Sequence, residues 1–344
     1  MTSSFPHRPT MVVVTGAAGF IGSHLVQGLL DNGLEVVGID RRTPETDAIA
    51  RLNLRDVTGH PRFSLFSGDL SFVSLNLLVR DAACVFHLSA IPAVRASWAE
   101  FERYVTANVM ATQRLLDACV QEGVSKVVYA SASSVYGPAE APSGENDPAQ
   151  PISPYGITKL AGEQLCLAYA KRPASRLSVT ALRYFTVYGP RQRPDMAISR
   201  ILAAALAGEP FVIFGDGTQR RDFTYVGDVV AATIAAADIE VPATVINVGG
   251  GSSISVSDII AMARTVTGNP VPLTAGAAQA GDVPATAADL SLARVLLGFQ
   301  PRIDLQTGMT RHAQWLQKLP ADLLRTYGPP PTTDQDQSAP DSPH

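Results

Sequence analysis

Residues 11–22 read Met-Val-Val-Val-Thr-Gly-Ala-Ala-Gly-Phe-Ile-Gly. A β-branched run meets three glycines spaced three apart, and an apolar helical pattern follows. Val12–Val14 predict a buried parallel strand. Gly16 permits a tight turn, Gly19 removes a Cβ from the path of an approaching phosphate, and Gly22 lets the next helix pack close to the strand. Amides around Gly19, Phe20 and Ile21 then face an anion at the positive end of that helix. Strand, turn and helix in this order commit the chain to a βαβ beginning.

The continuation narrows the anion. A second strand, Glu35–Ile39, ends in Asp40, 18 residues after Gly22. A carboxylate there accepts hydrogen bonds from adenosine ribose hydroxyls and repels a 2′-phosphate. Arg41 and Arg42 follow directly and would suit such a phosphate. The balance favours NAD over NADP.

The chain has 344 residues, enough for a nucleotide domain and a smaller lobe. A net charge of −4 favours neither nucleic acid nor an acidic membrane surface. No apolar run approaches the ~20 residues of a membrane span. Residues 1–10 read as a disordered arm without a signal-peptide core. Cys84, Cys119 and Cys166 are isolated and odd in number, which reads as buried reduced thiols in a cytoplasmic protein. The six histidines have no ligand spacing, so no metal is expected. The proline-rich, polar stretch 327–344 reads as a disordered tail.

Strand-like runs at 11–15, 35–39, 63–66, 84–88, 126–130 and 178–183 alternate with helical ones, two of them long, at about 99–122 and 155–171. The expected fold is α/β, a Rossmann-like doubly wound parallel sheet over 11–190, with a smaller C-terminal substrate lobe over 191–320. Some strands of that lobe are expected to return to the main sheet. Beyond 190, helices are expected near 194–207, 226–238, 255–266 and 304–318, with strands at 211–214 and 244–248. Ligands bind beyond the carboxyl ends of such strands. Gly68-Asp69-Leu70 and His87-Leu88-Ser89-Ala90 fall there. His87 reads as a strand-end histidine with a structural hydrogen bond.

Pro154-Tyr155-Gly156-Ile157-Thr158-Lys159 puts a phenol and an ammonium at i and i+4 on one helix face. A phenol near pKa ~10 is a poor base at neutral pH. A neighbouring ammonium and a positive nicotinamide both favour its ionised form. Tyr155 is then the candidate base for a hydroxyl proton, with Lys159 beside it and on the nicotinamide ribose.

These motifs resemble the extended branch of the short-chain dehydrogenases/reductases, the NAD-dependent epimerase/dehydratase family, over about residues 11–317. Arg183-Tyr184-Phe185-Thr186-Val187-Tyr188-Gly189-Pro190-Arg191-Gln192-Arg193-Pro194-Asp195-Met196 is most similar to the UDP-glucuronate 4-epimerases. The resemblance implies a UDP-sugar substrate, tightly held NAD, and a homodimer formed through the two long helices. It implies cofactor contacts at Asp69, Leu70, Leu88, Ala90, Asn108, Ser131 and Tyr184. It places Thr186 and Arg193 on a C6 carboxylate, and Arg221, Arg95 and Asp282 on the rest of the substrate. The chain departs from the pattern at Ala132, where the family has a Ser or Thr that hydrogen-bonds the reacting oxygen. Ser133 is the nearest substitute, with Ser131 and Ser134 flanking. A second departure is Gln279, where a phosphate-binding arginine is usual. Ser133-Ser134 offers no acid pair for dehydration, and Ser134 replaces the Glu usual in decarboxylases. The expected activity is UDP-glucuronate to UDP-galacturonate epimerisation. UDP-glucuronate decarboxylation, UDP-glucose 4-epimerisation and a non-catalytic NAD-binding regulator remain alternatives.

Overall fold

The computed structural model describes residues 10–138, 142–276 and 283–328. Residues 1–9 of the expected arm at 1–10, residues 329–344 of the expected tail at 327–344, Gln279 and Asp282 lie outside these residues. Strand β1 (Met11–Thr15) leads through the glycine turn into helix α1 (Phe20–Asp31). Then come β2 (Glu35–Asp40), α2 (Ala48–Leu54), β3 (Phe63–Ser67), α3 (Asn76–Val79) and β4 (Cys84–His87). α4 (Phe101–Val105) passes through a π-helical turn at Thr106–Met110 into α5 (Ala111–Gln121). After β5 (Lys126–Ala132) the chain forms α6 (Pro154–Ala170), β6 (Ser178–Tyr184) and β7 (Thr186–Tyr188). The remainder comprises α7 (Ala197–Ala207), β8 (Phe211–Phe214), β9 (Arg220–Tyr225), α8 (Val226–Ala235), β10 (Ala243–Val248), β11 (Ser253–Ser255), α9 (Val256–Thr267), β12 (Leu273–Gly276), α10 (Ser291–Leu297), α11 (Leu305–Gln317) and α12 (Ala321–Arg325).

The main sheet has seven strands in the order β10-β6-β5-β4-β1-β2-β3, all parallel. The strand order reverses between β1 and β4, where a crevice opens beyond the carboxyl ends. Alternation along β1 sends Val12 and Val14 into one apolar layer and Val13 into the other. The first layer packs α1 and α8 on the sheet, and the second packs α5 and α6. β10 comes from beyond residue 240 and completes the sheet beside β6. A third apolar cluster, built from α7, α9 and α11, forms the core of the C-terminal part.

The long helix expected at 99–122 is not uniform. At the π-turn the Asn108 carbonyl also accepts from the Thr112 hydroxyl at 2.8 Å, and the Asn108 side chain leaves the helix to bond Ile91. Side-chain competition for the helical ladder accounts for the bulge. The tail boundary is also corrected. Tyr327 is fully buried and packs edge-on against Trp315, so it belongs to the third core cluster. Cys84, Cys119 and Cys166 are free and buried, as their isolation predicts. Among the described residues no helix is long and apolar enough to cross a membrane, and no group of three His, Cys, Asp or Glu is arranged to hold a metal ion.

Candidate active site

A cleft of about 540 Å³ runs across the carboxyl ends of the strands. Gly16, Gly19, Phe20, Ile21 and Gly22 line it after β1, and Asp40 and Arg41 after β2. Asp69, Leu70, Leu88 and Ala90 follow β3 and β4. Ser133, Tyr155, Lys159, Tyr184, Thr186 and Arg193 complete the wall. Gly16 has φ +73°, and a Cβ there would lie 2.9 Å from the Ser89 amide nitrogen. A Cβ on Gly22 would fall 2.1 Å from the Gly16 carbonyl oxygen. Neither position admits a larger residue without moving backbone. Gly19 stands at the N-cap of α1 and offers no side-chain cap, so the first-turn amides remain available to an anion.

Asp40 is fixed before any ligand arrives. Its carboxylate accepts the amides of Ala18 and Arg42, each at 3.0 Å, and the Arg42 guanidinium lies 3.4 Å away. Arg42 is thereby partly neutralised. The glycine cradle, the uncapped helix and this carboxylate fit an adenosine diphosphate with free ribose hydroxyls. NAD is expected to bind at least about tenfold more tightly than NADP, about 1.4 kcal/mol. Fluorescence titration of both cofactors checks this, and parity would show that Arg41 outweighs Asp40.

At the other end of the cleft, Ser153 caps α6 by accepting the Gly156 amide at 3.1 Å, with Pro154 in the first turn. Tyr155 and Lys159 then sit one turn apart. α6 lies close to β5 because Gly162 leaves no Cβ to strike the Tyr129 hydroxyl, which would be 2.3 Å away. The Tyr129 ring underlies the Lys159 ammonium at 4.4 Å. Tyr104 meets Tyr155 edge to face at 6.4 Å, and its hydroxyl donates to the carbonyls of Pro92 and Ala93. Burial lowers the Lys159 ammonium to about 8. Burial also pushes the Tyr155 phenol up to about 12, opposed by the charge of Arg193. In the protein's own field, desolvation outweighs the favourable charges, and the opposing cation is Arg193 rather than Lys159.

Several sequence-derived assignments shift. Ser131 borders the cleft, but its hydroxyl donates to Glu163 at 2.7 Å. Tyr184 also borders it, with its hydroxyl shared with Thr233 at 2.7 Å. Asn108 is buried behind the wall, where it holds Ile91 and Thr158. Arg95 stacks on Phe214, and Arg221 donates to the Val283 carbonyl at 2.7 Å; neither lines the cleft. His87 bonds Thr15 at 2.7 Å and Thr112 at 2.9 Å, a structural role as expected. Ala132 lines the wall without a hydroxyl. Beside it, the Ser134 Oγ is buried and has no partner among the described residues.

Two features were not read from sequence. Glu163, one turn beyond Lys159, is fully buried and clasps Arg183 through Nε at 3.0 Å and Nη2 at 2.7 Å. Its position one turn after Lys159 was the available signal. The second is the clamping of the loop from Val187 to Met196. Arg191 has φ +64° and a buried guanidinium that reaches Asp56 at 2.7 Å and Ser23 at 3.4 Å. His24 Nε2 donates to the Pro190 carbonyl at 2.8 Å. Gln192 donates to the Val187 carbonyl at 2.9 Å and accepts from the Ser199 hydroxyl at 2.9 Å.

A doubly wound sheet with a glycine-turn cradle and a Tyr–Lys pair across the same cleft defines a dinucleotide-dependent enzyme of the short-chain dehydrogenase/reductase type. The chain belongs to the NAD dependent epimerase/dehydratase family, whose model matches residues 12–249. It is 40% identical to the uncharacterized UDP-glucose epimerase YtcB of Bacillus subtilis, over 90% of this chain and 98% of that protein. MoeE5 in complex with UDP-glucuronic acid and NAD superimposes with a TM-score of 0.83 at 47% identity, covering 89% of this chain and 99% of that one. MoeE5 has also been solved with UDP-glucose and NAD. The UDP-glucuronic acid 4-epimerase of Bacillus cereus, with UDP-glucuronic acid and NAD, gives 0.85 at 41% identity, covering 90% and 99%.

Proposed function

We propose that this protein interconverts UDP-glucuronate and UDP-galacturonate by inverting C4. One observation carries the reading: the Tyr155–Lys159 pair and the Thr186–Arg193 pair face a single cleft whose far end is the glycine cradle. The relatives bound to UDP-glucuronic acid and NAD support it. NAD, held by the glycine cradle and Asp40, would supply reversible hydride chemistry at C4, and inversion requires the 4-keto sugar to turn over in the cleft between the two transfers. Tyr155 takes the C4 hydroxyl proton and later gives it back. Arg193 supplies positive charge beside the phenol, and Lys159 stands one turn along the same helix. The resulting 4-keto uronate is a β-keto acid, and it loses CO₂ when the C–C bond to the carboxylate stands perpendicular to the carbonyl. Thr186 and Arg193 hold the carboxylate away from that geometry. Ser133, next to Ala132 in the chain, lines the same wall and carries a hydroxyl.

Arg193→Ala should lower efficiency on UDP-glucuronate by roughly ten- to a hundredfold, the value of a charged hydrogen bond (about 1.5–3 kcal/mol). UDP-glucose should be affected less, and a UDP-pentose by-product should appear. Product analysis by chromatography decides. Preference for UDP-glucose in the wild type, with indifference to Arg193→Ala, would leave a hexose 4-epimerase, the reading favoured by the name of the Bacillus subtilis relative. The proposal includes a homodimer, supported by exposed Trp98, Phe101, Met110 and Ile157 on and beside α4, α5 and α6. It also includes a cytoplasmic location, supported by the three free thiols.

A further inference from the structure

The loop that presents Arg193 is fixed just before it, by Arg191 on Asp56 and Ser23 and by Gln192 on Val187 and Ser199, and just after it by the Met196 amide, which donates to the Arg193 carbonyl at 3.2 Å. Its backbone is therefore settled, and the freedom that remains lies in the long Arg193 side chain. Asp195 removes that freedom. Its two oxygens accept from Arg193 Nε at 2.9 Å and Nη2 at 2.6 Å. Pro194 stands between the two residues and, with φ fixed by its ring, limits how they can be placed. Asp195 thus occupies the Nε/Nη2 edge of a planar group. Nη1 makes no bond among the described residues, and Arg193, unlike Asp195, lines the cleft. A guanidinium can accept one carboxylate on each of two edges, so this arrangement leaves an edge for an incoming one.

We propose that Asp195 is a positioning residue for uronate recognition, holding the Arg193 guanidinium so that its free edge meets the substrate carboxylate. The proposal rests on the uronate reading above. A structural role alone would predict little, because the pair is part-exposed, at 31% and 57% of side-chain surface, and such pairs contribute little to stability. A positioning role instead predicts an effect confined to substrates bearing a carboxylate. A neutral hexose makes no ion pair with Arg193 and does not depend on its edge.

The test is steady-state kinetics of wild type, Asp195→Asn, Asp195→Glu and Arg193→Ala on UDP-glucuronate and UDP-glucose, with melting curves of each. Asp195→Asn should raise KM for UDP-glucuronate about tenfold, the scale of one charged hydrogen bond. Its kcat should stay within about twofold. KM for UDP-glucose should be unchanged, and the melting midpoint should move by less than about 2 °C. Asp195→Glu, which keeps the charge, should recover part of the loss. An equal rise for both sugars, or no change, overturns the proposal. A lower KM for UDP-glucuronate overturns it too, since Asp195 would then be a competitor of the substrate. If Arg193→Ala raises KM for UDP-glucuronate and Asp195→Asn does not, only the role of Asp195 falls. If neither variant matters, the uronate reading falls with it.

Discussion

Tyr155→Phe is expected to lower kcat by about 10²- to 10⁴-fold, the range that a positioned general base contributes. The ring should keep its place, because its edge-to-face contact with Tyr104 does not use the hydroxyl. No protein atom bonds that hydroxyl among the described residues, so its removal orphans nothing. NAD affinity should stay within about twofold, since the cradle and Asp40 lie after other strands. Stopped-flow or product assays on the nucleotide sugar, with a cofactor titration alongside, make the comparison. Near-normal turnover would require another base. Ser133 and Thr186 are other hydroxyl-bearing residues that line the cleft.

Glu163→Gln is expected to destabilise the fold by about 3–5 kcal/mol, the scale of breaking a buried ion pair. Glu163 is fully buried and accepts three bonds, from Ser131 and from two nitrogens of Arg183. The amide leaves the Arg183 charge uncompensated in the interior. Arg183 also stacks on Tyr136 at 4.7 Å, and Tyr136 donates to Asn247 at 2.7 Å. The disturbance therefore spreads from α6 across β5 and β6 to β10. Combining Glu163→Gln with Arg183→Met should recover much of the loss, because an apolar replacement removes both charges together. Urea denaturation of the single and double variants measures both effects. A single-variant loss below about 1 kcal/mol would mean that water reaches the pair.

The sequence carried the cradle and the Tyr–Lys helix well, because local pattern dictates both. The β-branched run of β1, the glycine spacing and the i, i+4 pair each depend on residues a few positions apart. Assignments that depended on where a long side chain points were less secure. Arg221 lies on a strand, β9, whose run of charges hid its extended character. Asp222 is tolerated inside because its carboxylate accepts the amides of Gly250 and Ala288. Arg221 itself turns to the Val283 carbonyl. Ser131 reads as a cofactor contact until Glu163, 32 positions away, is seen to take its hydroxyl. Tyr327 reads as the start of a tail because its partner, Trp315, lies on a helix that the tail composition does not reveal. The raised phenol of Tyr155 was also beyond local pattern, since desolvation is a property of the assembled cleft.

The anchoring of Arg191 bears on how this architecture can be re-engineered. The segment that carries Arg193 is bolted to the nucleotide half at two places, to α1 through Ser23 and His24 and to the turn after α2 through Asp56. Exchanging the C-terminal part for that of a relative with another sugar preference would bring in a loop whose fasteners must already exist on the recipient. Without them, a left-handed arginine would be left with a buried, unmatched charge. A working chimera would have to transplant those three N-terminal positions together with the distant loop they secure.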